Sequence, residues 1–269
     1  MRVIRRHLIV FTFVVAPAAV GAIELVSVQD EIEIGREVHA QFRKDTPQFN
    51  DADATGYVRD LARRLVQVAP GPRYPYSFTV ADYREINAFA LPGGPVWIHR
   101  GILHAATNES QVAGVLAHEI AHIAQRHAAD QLTKAAFTNI GLGVLGAFLG
   151  NSGGAGTAQL AARLLANGAF LKFGRDAELE ADRVGLQMMT RAGWDGRGMV
   201  ELFEIIRKEA ERDPSTVVVL LSSHPAPRDR IAALQPEIAK RSGGRRDAPQ
   251  FQSMKARLLK MPPPRAMPR

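Results

Sequence analysis

His118-Glu119-Ile120-Ala121-His122 stands inside a helical pattern running from about Glu109 to Ala129, with Asn108 as its expected N-cap and Gln111 three residues on. Histidines four apart lie one above the other on a helix face, so both imidazoles can reach a single ion. Glu119 is turned about 100° from His118 and can approach a water on that ion without ligating it. This is the arrangement of zinc hydrolases, in which the metal acidifies water and the carboxylate takes its proton. Val115, Leu116, Ile120 and Ile123 surround the motif, so the helix is expected to be largely buried.

A third protein ligand must come from elsewhere. His127, five residues after His122, falls about 140° round a continuous helix and is not expected at the same ion. The extended pattern HExxHxxGxxH also fails, because its Gly and His positions hold Gln125 and Ala128. Glu178, in a helical pattern over about 176–190, is the best candidate. Glu178 and Asp182 are i, i+4 on one face, so one can ligate while the other accepts an imidazole N–H. Glu180 is about 200° from Glu178 and should point elsewhere. A plain solvated acidic face is the alternative for this segment.

The chain has 269 residues and no cysteine, which excludes disulfides, cysteine-ligated zinc, iron–sulfur clusters and a thiol nucleophile. Its formal net charge of +7 sits at the two ends. Residues 1–22 hold Arg2, Arg5 and Arg6 and no acid, and residues 240–269 hold nine Lys/Arg against Asp247 alone. The body between is slightly acidic, so no nucleic-acid partner is expected.

Residues 1–22 read as a signal peptide: arginines, an apolar run from Leu8 to Val20, then Val20-Gly21-Ala22. The apolar run is shorter than the ~20 residues that span a bilayer, and an uncleaved anchor is the alternative. The mature chain is expected to be exported, with a catalytic domain over 23–240 and a basic, proline-containing tail over 241–269. Helical patterns carry Ile34, Val38 and Phe42, then Val58, Leu61, Leu65 and Val68, on single faces. Strands are predicted at 77–80, 87–91 and 96–99, the last two joined by Pro92-Gly93-Gly94-Pro95, as a small antiparallel sheet. The fold class is therefore α+β and mainly helical. Gly-rich residues 139–156 are read as a lid or membrane-touching loop, or else a disordered insertion. The tail is expected to be solvated and disordered, with attraction to anionic lipid headgroups as the alternative.

His118–His122, the segment Glu178-Leu179-Glu180-Ala181-Asp182, and His224-Pro225 followed by Arg230 together resemble the zinc endopeptidase family of the CAAX prenyl proteases, above all its exported bacterial members. The resemblance covers about residues 30–235, including Asn87-Ala88-Phe89-Ala90 and Gly101-Ile102-Leu103. It implies a zincin-type core, one zinc ion held by His118, His122 and Glu178, and Glu119 as general base. It also implies that His224 can occupy the zinc's open position and gate the site, although a transition-state donor or an ordinary loop histidine remains open there. Arg230 either steadies the oxyanion or pairs with Asp182 or Glu180. Asn87–Ala90 is the expected substrate strand, to which an extended peptide adds by main-chain hydrogen bonds.

Some exported members carry a C-terminal helical-repeat domain; the sequence read here stops with 241–269, and docking through such repeats is not assumed. The expected function is endopeptidase action on unfolded or misassembled proteins of the cell envelope, in the periplasm. The rival is a chaperone-like binding module whose zinc is kept closed by His224.

Overall fold

The computed structural model describes residues 26–135, 172–224, 227–241 and 243–268. The signal peptide read over 1–22 and the lid read over 139–156 lie outside the described residues. Two amphipathic helices open the chain. α1 (Val28–Asp45) starts at a capping box in which Ser27 and Asp30 satisfy each other's backbone N–H, and it buries Ile34 and Val38. α2 (Ala52–Val66) is capped by Asp51 and buries Val58, Leu61 and Leu65. The prolines at 70, 72 and 75 and Gly71 then break the helical run. A side chain at Gly71, whose φ is +77°, would overlap the carbonyl oxygen of Ala124, so the chain passes the end of the central helix only because this residue is glycine.

Three strands follow: β1 (Ser77–Ala81), β2 (Ala88–Ala90) and β3 (Pro95–His99), in the order β1-β3-β2. Gly93 and Gly94, both at positive φ, make the turn between β2 and β3. The β2–β3 pair is antiparallel as predicted, but β1 pairs with β3 in parallel, Phe78 opposite Val96. This corrects the all-antiparallel expectation. Residues 82–87 carry the chain past β3, which then inserts between β1 and β2 as a strand buried on both faces. Val96 and Ile98 face the main core with α2, while Trp97 faces a second cluster with Ile34, Val38 and Phe89.

α3 (Arg100–Ala105) and α4 (Glu109–Ala124) continue from the sheet. α5 (His127–Ala135), α6 (Arg175–Arg191), α7 (Arg197–Arg212), a 3-10 turn (Pro214–Thr216), α8 (Val218–Ser223), α9 (Pro227–Ala239) and α10 (Pro249–Leu258) complete the described order. α4 is the axis of the domain: every residue from Glu109 to Ala124 except Val115 is buried. α6, α7, α2 and β2 pack round it. No helix among the described residues is long and apolar enough to cross a membrane.

The end of the chain differs from the solvated tail that was expected. α10 buries Phe251, Met254 and Leu258 in the main core, and Arg257 pairs with Asp51 at the start of α2. Arg265 then exchanges backbone hydrogen bonds with Asp82 and Arg84. The basic residues hid an i, i+3, i+7 apolar face.

His99, at the end of β3, is buried beside the carbonyl of Glu85, and burial pushes its pKa down to about 4 despite that contact. The unfolded chain takes up this proton at about 6.5 and the folded one does not until about 4. Stability is therefore fully present above pH 6.5 and is lost as pH falls through that window, by up to about 3 kcal/mol. Urea midpoints measured from pH 7 to 4.5 should fall more steeply for the parent than for His99→Gln. Equal slopes would mean that His99 is not the group responsible.

Candidate metal centre

Asn108 caps α4 by accepting from the backbone N–H of Gln111, as the sequence predicts. Small residues then let other helices reach the motif. A Cβ on Gly114 would lie 2.9 Å from Cα of Met199 in α7, and one on Gly185 of α6 would lie 3.2 Å from the backbone of Ala117. The close approach of α6 brings its first two turns, with Glu178 and Asp182, alongside His118 and His122.

Those residues meet in a buried cluster. Nε2 of His118 and Nε2 of His122 are 3.0 Å apart, and Nδ1 of His224 is 3.3 Å from the former. Oε1 of Glu178 lies 3.4 Å from His122 and 2.9 Å from Nδ1 of His224. One donor atom from each of the four residues lies within 4.8 Å of the others. The second oxygen of Glu119 is buried without a hydrogen bond. Three imidazoles with their nitrogens turned on one another, plus an unsatisfied carboxylate oxygen, are what a divalent cation would resolve. The residues fit a metal.

Around the cluster, His118, His122 and Glu178 each have a partner on the outer side. Asp182 stands 3.0 Å from Nδ1 of His118, and Arg230 binds Asp182 through Nε and Nη2 at 2.7 and 2.6 Å. Nη1 of Arg230 reaches Glu178 at 2.8 Å. Of the two ion pairs considered for Arg230, the structure contains the one with Asp182 and not the one with Glu180. Burial opposes the charge on Asp182, but Arg230 and His118 hold its carboxyl below the usual range. Burial likewise opposes ionisation of Glu178, and its bonds to His122 and His224 hold its pKa down. Burial, with the neighbouring His118 imidazole adding to the effect, pushes the pKa of His122 well down. For His224 burial works against protonation, yet the carboxylates of Glu119 and Glu178 outweigh it and raise its pKa.

His127 behaves differently from the expectation of one continuous helix. The helix breaks at Gln125 and Arg126, and Arg126 takes a left-handed φ of +60°. α5 then starts on a new axis and turns His127 back, so that its Nδ1 is 2.8 Å from Nδ1 of His122. His127 is not among the grouped donors; it sits behind His122, with Glu180 3.5 Å beyond. Phe173 stacks on the His122 ring at 4.0 Å. Phe173 was not singled out in the sequence; His127 and Glu180, set aside there as ligands, stay outside the grouped donors and back His122. Gln125-Arg126-His127 after the motif carries no periodic signal for the break.

β2, carrying Ala88–Ala90, is an edge strand beside α4, and Asn87 just before it is buried with its side-chain oxygen unpaired.

The sequence profile of peptidase family M48 matches residues 52–238. The Escherichia coli (strain K12) beta-barrel assembly-enhancing protease is 36% identical over 213 residues, 77% of this chain and 43% of that protein. The protein of that name from Yersinia pestis is 35% identical over the same shares. The mitochondrial metalloendopeptidase OMA1 of Schizosaccharomyces pombe is 33% identical over 67% of this chain and 52% of its own length. The chain thus spans less than half the length of the bacterial relatives. With the profile covering well over half of its residues and the buried donor cluster inside that span, the chain belongs to peptidase family M48, and so to the metallopeptidases.

Proposed function

We propose that the chain is a zinc-dependent endopeptidase that hydrolyses unfolded or misassembled proteins of the cell envelope, working in the periplasm after export. The observation that carries the chemistry is the buried set His118, His122, Glu178 and His224, with the Glu119 carboxylate against it. Two histidines and a glutamate favour zinc, with His224 in the remaining position. Bound there, zinc would lower the pKa of water and polarise a peptide carbonyl.

The chain's own residues do the rest. Glu119 takes the proton of the attacking water and returns it to the amide nitrogen as the C–N bond breaks. Asp182 orients His118 through Nδ1, and Arg230 acts through Asp182 and Glu178, since its fork is engaged by both. An extended peptide adds as a strand along β2, over Asn87–Ala90. That mode suits unfolded chains because it reads backbone. The envelope substrates rest on the bacterial relatives named for beta-barrel assembly. A peripheral contact with anionic lipid is supported only by exposed Leu259 beside Lys260 in the basic end of the chain.

The second reading is a latent, chaperone-like binding module, and the placement of His224 within the donor set favours it. One experiment separates the two. The chain from Ile23 onward is incubated with an unfolded soluble protein, with and without EDTA, beside His224→Ala. The proposal expects cleavage that EDTA abolishes and zinc restores, and equal or faster cleavage by the variant. Loss of cleavage in His224→Ala with zinc still bound makes His224 a catalytic group and not a gate. No cleavage by either form, with zinc bound, gives the binding module.

A further inference from the structure

The residues after α9 form a strap that lies beyond the 52–238 span of the family profile. Arg245 bridges to Trp194, and the start of α4 is tied next: Ser110 donates its N–H to the carbonyl of Arg246, and Glu109 donates to the carboxylate of Asp247. α10 then packs on α2 and α3. The last contact is with residues 82–86, the crossover that leads into β2. Arg265 accepts from the N–H of Arg84 at 2.8 Å and donates to the carbonyl of Asp82 at 3.1 Å. The N–H of Met267 donates to Oε2 of Glu85 at 3.1 Å, and the Met267 side chain packs on the cluster of Tyr83, Phe89 and Trp97.

Glu85 passes that contact on. The residue is 7% exposed, and its own carbonyl lies 3.2 Å from Nδ1 of His99. A carbonyl only accepts, so this ring nitrogen carries the hydrogen. The backbone N–H of His99 in turn donates to the carbonyl of Asn87 at 2.8 Å. A second hold on the crossover comes from the turn before α8, where the carbonyl of Thr216 accepts from Ile86. β2 needs such holds because it has three residues and stands at the end of the sheet order, beside β3 alone. A hairpin of that length is marginal by itself. The Pro92–Pro95 turn fixes one end of it; the crossover decides the other.

We propose that Arg265 and Met267 are positioning residues for peptide binding, which act through Glu85 and His99 to hold Asn87–Ala90 where an extended substrate pairs with it. The inference deepens the proposed function and rests on its substrate strand. Pairing through the main chain is strict in distance and angle, so a small shift of β2 weakens every bond along the peptide at once. The donor cluster is spared. His118 and His122 stand two turns or more along α4 from the strap's contact at Glu109 and Ser110, and Glu178 stands on α6. Loosening the strap therefore weakens substrate binding and leaves the metal and the chemical step alone.

The test measures kcat and KM of the zinc-loaded chain on a quenched-fluorescence octapeptide, with zinc content and melting temperature alongside. Met267→Pro removes the N–H that Glu85 accepts, and Glu85→Ala removes the acceptor. Each should raise KM by about three- to tenfold, the worth of one hydrogen bond, with kcat and zinc content unchanged. Glu85→Gln keeps an acceptor oxygen and should hold KM within about twofold of the parent. Arg257→Ala breaks the strap's ion pair with Asp51 and should lower the melting temperature without moving KM. The proposal is overturned by an unchanged KM in Met267→Pro, by a fall in kcat in its place, or by Glu85→Gln behaving as Glu85→Ala. An equal rise of KM in Arg257→Ala also overturns it, because the strap would then act only through overall stability. A fluorescein-labelled copy of the peptide is titrated by anisotropy onto Glu119→Gln, with and without Met267→Pro. If no form cleaves but Met267→Pro weakens binding, the strap's role stands and the peptidase reading falls; equal binding without cleavage removes both.

Discussion

Glu119→Gln is expected to lower peptide cleavage by about 10²–10⁴-fold, with metal content and fold intact. Its side chain is isosteric, is 2% exposed as a residue, and is not one of the four grouped donors. What the amide loses is the ability to take a proton from water and return it to the leaving nitrogen. Neutralising a buried carboxylate also removes a desolvated charge, so thermal stability should hold or rise. Removing that charge relieves one of the attractions that raise the pKa of His224, so this imidazole should titrate lower in the variant. The measurement pairs kcat on an unfolded protein with zinc content and melting temperature. A variant that keeps more than a tenth of the activity, or that drops its metal, removes Glu119 from the base role.

The residues in this prediction were legible because a helix is periodic. A spacing of four put His118 with His122 and Glu178 with Asp182, and each pair does share a face. What the spacing could not give was the join between helices. Residue 126 is an arginine in a left-handed conformation, which no propensity favours. That one dihedral decides whether His127 points away from His122 or stands behind it. Strand pairing was half legible for a related reason. The Pro-Gly-Gly-Pro turn fixes the β2–β3 hairpin locally, but the β1–β3 pairing depends on where residues 82–87 cross, a tertiary matter. The end of the chain was misread by composition. Nine basic residues and three consecutive prolines suggested solvent, while the spacing of Phe251, Met254 and Leu258 carried the opposite message.

The second large effect is on stability. Arg230→Leu should cost about 3–5 kcal/mol, because removing one partner of a buried ion pair leaves the other charge uncompensated. The cost should stand high here because one guanidinium serves two carboxylates. Asp182 takes Nε and Nη2, Glu178 takes Nη1, and both side chains are 1% exposed. Arg230→Lys should recover only part of the loss, since a single ammonium cannot reproduce a fork that spans both acids. Adding Asp182→Leu to Arg230→Leu should cost less than Arg230→Leu alone, because the orphaned charge goes with it. Zinc makes the argument testable in a second way. A cation at the donor cluster would offset the charge on Glu178, so the destabilisation should be larger in EDTA than in zinc. Urea unfolding of the parent and the three variants, each with and without zinc, reads all of these differences. If Arg230→Leu unfolds within about 1 kcal/mol of the parent in EDTA, water reaches these carboxylates and the buried network is not what holds α6 and α9 together at the site.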